Sequence, residues 1–375
     1  MSAPLAIMPG RRAARAVFRC DASAEIGGGH LRRCLTLAEE LATRGWRIAF
    51  AMRERSFSEV PAAELATARR IVLLGGAGEE AREIAARLDD EPADLVVVDH
   101  YGHDHRFETQ CRCFAARIAV IDDLANRRHD ADLLLDQTFG RAPIDYAGLV
   151  PASCRLLCGS RYALLREPFA RMRQAALARR RAGGTVQRIL VTMGATDDSD
   201  LTETVLDALE AVAKKAIAAP VVDVVLGASA PHLASVADRL ATGACSGRLH
   251  VGVAGEAMAR LMTAADLSIG AAGTTSWERC CLALPCLVLV AAENQATIAA
   301  HLAEVGACRL VGEAATVTTH HIAAALAAVW RNGAARSAMA EVAASVCDGE
   351  GAARVVAAIE SMLAPTSERM RKSAP

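Results

Sequence analysis

The chain has 375 residues, 53% of them hydrophobic, with 42 basic and 43 acidic residues and a formal net charge of -1. That balance gives nucleic acid or an anionic membrane no electrostatic handle, and 3% aromatics are too few for base-stacking platforms. The length suits two domains, and no apolar run reaches the roughly 20 residues of a membrane span.

Residues 1–14 are expected to be a disordered tail. Their short apolar piece precedes the arginines, the reverse of a secretory signal. None of the 12 cysteines forms a C-x-x-C pair, so they read as small hydrophobes of a reduced, cytoplasmic protein. Apolar runs at Ala16–Cys20, Arg47–Met52, Ile71–Leu74, Leu95–Asp99, Ile118–Asp122 and Leu133–Asp136 alternate with helix-like stretches such as Leu31–Arg44 and Glu79–Leu88. This βαβα alternation predicts a parallel sheet covered by helices. Residues 137–160 are turn-rich. A basic helical stretch, Glu167 to Arg181, follows, and residues 166–187 read as a linker. The alternation restarts at Arg188–Thr192 and continues through Val221–Leu226, Leu249–Val253, Leu267–Ile269 and Leu287–Val290. Helices near 333–346 and 351–363 close the chain. The predicted fold is α/β, with Rossmann-type parallel-sheet domains at 15–165 and 188–346 facing across a cleft. Residues 347–375 form a helix crossing back to the first domain and a loose tail.

Ligands of open parallel sheets sit beyond the carboxyl ends of the strands, so the loops that follow strands carry the candidates. In DASAEIGGGH, residues 21–30, glycines including Gly28 and Gly29 allow close approach to a ligand. His30 then opens a helix, where the positive helix end disfavours imidazolium and leaves a general-base candidate. The spacing is not G-x-G-x-x-G, and no acid ends the next strand, which excludes a nicotinamide dehydrogenase. In VVVDHYGHDHRFE, residues 96–108, Asp99 and Tyr101 emerge beside three histidines. A cleft-facing polar loop is favoured there over a metal site. Asp122-Asp123 suit pairing with Arg127 and Arg128 better than holding a divalent ion beside a diphosphate. In LVTMGATDDSD, residues 190–200, Gly194 and Thr196 can approach a phosphate or sugar hydroxyl, with Asp198 or Ser199 capping the next helix. In residues 267–295, Gly273 and Thr274 lead a helix N-terminus that reads as an anion cradle. Glu278 lies within reach of ribose hydroxyls, and Asn294 points at the same edge.

Taken in order, R-x-D-x-S-x-x-I-G-x-G-H, VVDHY, IDD-L-A, LLLDQ, G-x-R-Y-x-L-L-R-x-P-F, a Gly-x-Thr-Asp turn and G-x-x-x-T-x-x-E followed by E-N-Q resemble the PseG family. Its members are UDP-2,4-diacetamido-2,4,6-trideoxy-β-L-altropyranose hydrolases of pseudaminic acid biosynthesis, related to MurG-like glycosyltransferases of the GT-B fold. The likeness covers roughly residues 16–330. It implies that His30 is the catalytic base, that Tyr101 acts at the sugar, and that uridine and diphosphate fall near Gly273, Thr274, Glu278 and Asn294. The chain departs from the family's pattern at Ala22 and at Met193–Asp197. Asp21, on the strand before His30, is expected to orient the imidazole. The implied reaction is metal-independent, inverting C–O cleavage to UDP and free sugar, with no cofactor, nucleic-acid or membrane partner, in a monomer. The rival readings are a GT-B glycosyltransferase and a non-catalytic nucleotide-sugar binding protein.

Overall fold

The computed structural model describes residues 12–21, 29–58, 62–76, 78–89, 91–194, 196–197, 199–214, 218–253 and 255–364. They divide into two compact units, one up to Leu164 and again from Glu350, the other from Leu165 to Gly349.

The first unit runs β1 (Arg15–Cys20), α1 (Gly29–Thr43), β2 (Arg47–Arg53), α2 (Glu54–Ser58), β3 (Arg69–Leu73), α3 (Glu80–Ala86), β4 (Leu95–Asp99), α4 (His105–Cys111), β5 (Ile118–Ile121), β6 (Leu133–Asp136) and β7 (Arg155–Cys158). Its seven strands pair in the order β3-β2-β1-β4-β5-β6-β7, parallel throughout. Side chains alternate across a strand, and each face finds its own helices. Ala16, Phe18 and Cys20 of β1 pack with Leu31, Leu35 and Leu41 of α1. Val17 faces Ile84 and Phe107 on the other side.

The second unit begins with α5 (Glu167–Ala182). It continues through β8 (Arg188–Thr192), α6 (Leu201–Ala213), β9 (Val221–Leu226), α7 (Leu233–Thr242), β10 (Gly247–Val251), α8 (Gly255–Ala264), β11 (Leu267–Ala271) and α9 (Thr275–Cys281). It ends with β12 (Cys286–Val290), α10 (Ala296–Glu304), β13 (Arg309–Glu313), α11 (Thr319–Trp330) and α12 (Gly333–Val346). Its parallel sheet is ordered β10-β9-β8-β11-β12-β13. The last helix, α13 (Gly351–Leu363), belongs to the first unit, where Val355, Val356 and Ile359 join the α1 side of the core. Gly351 permits that seating, because a Cβ there would collide with the backbone of Ala163.

Both units are therefore Rossmann-like, with every strand ending at one edge of its sheet. Two strands differ from the sequence reading. The turn-rich stretch contains β7, and β13 follows α10. Both are edge strands with charged, partly exposed residues, so neither shows the continuous apolar run of a central strand. The basic helical stretch expected within residues 166–187 is α5, which belongs to the second unit. Arg173 donates to the carbonyls of Cys281, Ala344 and Cys347, and Arg180 to those of Met262 and Ala265.

Candidate active site

At the carboxyl edge of the first sheet, α1 lies over the end of β4. His30 and Arg33 are three residues apart and so share one face of α1. Both are buried, and both meet Asp99, the fully buried last residue of β4. Asp99 Oδ1 is 2.5 Å from His30 Nδ1 and 2.6 Å from Arg33 Nη2, while Oδ2 accepts from Arg33 Nε at 2.6 Å. The thiol of Cys34 adds a longer contact at 3.6 Å.

Burial alone would push the Asp99 carboxyl up. The Arg33 guanidinium and His30 outweigh it and hold the group well below the usual carboxylate range. An ionised Asp99 can only accept, so His30 Nδ1 carries a hydrogen, and in the neutral ring the lone pair lies on Nε2. Arg33 Nη2 also lies 3.1 Å from Nδ1. A guanidinium only donates, and a donating Nδ1 has no lone pair to offer, so this approach is a contact and not a bond.

Arg33 reaches further. Its Nη1 donates to Asp123 Oδ2 at 2.9 Å, and the Tyr101 hydroxyl donates to Asp123 Oδ1 at 2.9 Å. The rings of Tyr101 and His30 meet edge to face, 4.4 Å apart at 88°. Burial raises the Tyr101 hydroxyl above the ordinary phenol value, and the charge of Asp123 adds to it.

The expectation that Asp21 orients His30 is corrected. Asp21 accepts from the Arg53 backbone and Ser56, each at 2.9 Å, and pairs with Arg19 at 2.8 Å and His100 at 3.5 Å. Arg19 and Arg53 also hold the buried Glu80, which lies 3.0 Å from His103. His103 stacks on Phe107. Two members of the histidine-rich loop thus serve a buried ion network. Among the described residues, no three His, Cys, Asp or Glu side chains are grouped to hold a metal. Asp122 pairs with Arg127, as its sequence context suggested, and also accepts from the hydroxyl of the buried Tyr146.

Gly29 opens α1 and is half-buried, while Gly28 lies outside the described residues. In the second unit Gly194 has φ +104° and open space around it, a left-handed backbone that glycine adopts freely. Asp197, and not Ser199, caps α6, accepting from the backbone of Leu201 and Thr202; Asp198 lies outside the described residues. Thr196 is half-buried in the same turn. Gly273 and Thr274 precede α9, and the first turn bonds run from Ser276 N to the Gly273 carbonyl and from Trp277 N to that of Thr274. Trp277 is buried and anchors α9, while Glu278 is half-buried one turn in. Asn294 belongs to the turn Glu293–Gln295, but its side chain lies outside what the structure describes. Behind the loop, Arg279 donates to the Ala271 carbonyl and to Ser276 Oγ. Gly270 makes room for it, since a Cβ there would collide with Arg279 and stand 2.8 Å from the Thr192 carbonyl oxygen.

A cavity of about 480 Å³ opens past β12 and β13, lined by Ser199, Ala291, Glu293 and Glu313 among others. It is offset from Gly273 and Glu278. A second cavity, of about 550 Å³, lies around Trp46, Arg47 and Asp89 at the opposite edge of the first sheet, away from His30.

Sequence reasoning missed Arg33 and the part Asp123 plays. The signal for Arg33 was available. The apolar stripe of α1 includes Cys34, Leu37 and Leu41, and Arg33 is buried beside it, where an arginine needs a carboxylate.

No family model matches the chain. A UDP-2,4-diacetamido-2,4,6-trideoxy-beta-L-altropyranose hydrolase of Campylobacter jejuni is 30% identical over 161 residues, 41% of this chain and 53% of that protein. The match thus spans about half of that relative's length. MurG of Acinetobacter baumannii superposes with a TM-score of 0.67 at 15% identity, covering 93% of this chain and 99% of that one. WaaG, a glycosyltransferase involved in lipopolysaccharide biosynthesis, does so with a TM-score of 0.54 at 16% identity, covering 92% and 99%. At these identities the structures establish the fold, which is that of GT-B enzymes. No helix among the described residues is long and apolar enough to cross a membrane.

Proposed function

We propose that the chain is a hydrolase that cleaves the anomeric C–O bond of a UDP-linked 2,4-diacetamido-2,4,6-trideoxyhexose, releasing UDP and the free sugar with inversion. The observation that carries this reading is the Asp99–His30 pair, with Arg33 keeping Asp99 ionised and His30 Nε2 left to take a proton. The partial likeness to the Campylobacter hydrolase supports the choice of substrate.

In this reading His30 Nε2 removes a proton from water as the water oxygen attacks the anomeric carbon. The bond from that carbon to the diphosphate oxygen breaks, and its electron pair leaves with UDP. The carbon passes through an oxocarbenium-like state, as in glycoside hydrolysis generally. Tyr101 acts at the sugar beside His30. The second unit binds UDP through Gly194, Thr196, Gly273, Thr274, Glu278 and Asn294, with the N–H groups before α9 facing phosphate. The reaction belongs to nonulosonic (pseudaminic) acid synthesis, takes place in the cytoplasm, and needs neither metal nor cofactor.

The test is UDP release from that substrate with metal chelated, in oxygen-18 water. Label in the sugar is the expected result. Label in UDP means attack at phosphorus and overturns the mechanism. The likeness to a glycosyltransferase favours a second reading, in which an acceptor hydroxyl replaces water. Release of UDP only when an acceptor is added would select it.

A further inference from the structure

We infer that Arg33 and Asp123 are positioning residues that commit the Tyr101 hydroxyl proton, so that Tyr101 meets its ligand only as a hydrogen-bond acceptor. The phenol has one hydrogen, and it points at Asp123 Oδ1, 2.9 Å away. Asp123 cannot turn to release it. Its other carboxylate oxygen accepts from Arg33 Nη1 at 2.9 Å, and its backbone carbonyl accepts from Arg141 Nη2 at 2.8 Å. Arg33 is itself fixed by its fork on the buried Asp99. The carboxylate has no hydrogen to return, so the Tyr101 oxygen keeps only lone pairs for a ligand.

The consequence concerns substrate chemistry and rests on the proposed reading of the site. The group that meets Tyr101 is a donor, either a sugar hydroxyl or the N–H of an acylamino substituent. Phosphate oxygens and acyl carbonyls are acceptors and face lone pairs at that oxygen. Tyr101 is thereby unfit to protonate the departing diphosphate. Its part is to orient the sugar beside His30.

Asp123→Asn tests this with little change of shape. Arg33 can only donate, so it claims the single amide oxygen and turns the amide NH₂ toward Tyr101. The tyrosine must then accept from the amide and present its own hydrogen to the ligand. The chain has three tyrosines, so tyrosine labelled with carbon-13 at Cζ gives three resonances, and Tyr101→Phe assigns one. In the ligand-free wild type, the Tyr101 signal is expected to show the hydrogen–deuterium isotope shift of a slowly exchanging hydroxyl, and D123N is expected to abolish it. An unchanged Tyr101 signal in D123N overturns the inference.

A kinetic arm uses the UDP-diacetamido-trideoxyhexose. Tyr101→Phe loses one acceptor, and KM is expected to rise about five- to tenfold. D123N sets donor against donor and is expected to raise KM further, an excess that vanishes in the double variant. A purely structural role for Asp123 gives additive losses in the double variant and overturns the inference as well. No turnover by the wild type would reject the hydrolase reading, and the carbon-13 experiment would still decide this one.

Discussion

The two units share the strand order 3-2-1-4-5-6, to which the first adds a seventh strand, but several buried and half-buried arginines serve them differently. In the first, Arg19, Arg33, Arg127 and Arg141 pair with Glu80, Asp99, Asp122 and Asp136 at the carboxyl edge. In the second, Arg173, Arg180 and Arg336 close the ends of helices by donating to backbone carbonyls, groups that a helix C-terminus leaves unpaired. Arg279 does the same for Ala271 beside the α9 loop. The first edge thus stores paired charge able to hold and move a proton. The loops of the second unit carry glycines and hydroxyl side chains instead, at Gly194, Thr196, Gly273 and Thr274. The edge loops differ while the parallel sheet does not.

The sharpest way to break this division is His30→Ala. Turnover is expected to fall by about 10²–10⁴-fold, with UDP affinity by calorimetry unchanged. Lost UDP binding would place the histidine in nucleotide recognition and collapse the contrast. Next is Arg33→Ala, which leaves Asp99 buried without its guanidinium and is expected to cost the first unit about 3–5 kcal/mol. Trp46 reports on that unit and Trp277 and Trp330 on the other. Denaturation read in single-tryptophan versions should move at Trp46 alone, and equal movement at all three would deny that the charge acts locally. Gly270→Ala is the converse, crowding Arg279 and Thr192 for about 1–3 kcal/mol, read at Trp277.

The last effect concerns acid. Burial would raise the Glu80 carboxyl, but His103 and Arg19 hold it at about 2 against an ordinary 4.5. A folded-state value that is depressed adds stability, fully present above pH 4.5 and lost as pH falls toward 2. Glu80→Gln should therefore flatten the loss of first-unit stability across that interval. An identical acid limb would mean the ion network contributes nothing. In the second unit Asp197 carries the opposite sign, since burial raises it above the ordinary value.

Much of this was legible in the sequence. Strands such as Leu95–Asp99 and Leu133–Asp136 match residue for residue, because buried parallel strands are continuous apolar runs. The edge strands β7 and β13 lack that run and were missed. At the site, His30 was readable from its place after the glycines, but its partner was not. Asp21 ends the path of β1 and Asp99 ends β4, which is hydrogen-bonded to β1, so either acid could face α1. The choice depends on the far side, where Arg53 and Ser56 claim Asp21. That competition lies in three dimensions and leaves no mark in spacing.

The return of α13 to the first unit has a consequence for synthesis. A ribosome delivers the whole second unit between the two pieces of the first. Residues 165–349 can fold in one uninterrupted pass as they emerge. The layer of the first core that holds Val355, Val356 and Ile359 stays open until the final helix leaves the exit tunnel. Of the two units, the one whose first residues emerge earlier is therefore finished later, and its apolar sheet face is the surface a chaperone would meet on the nascent chain.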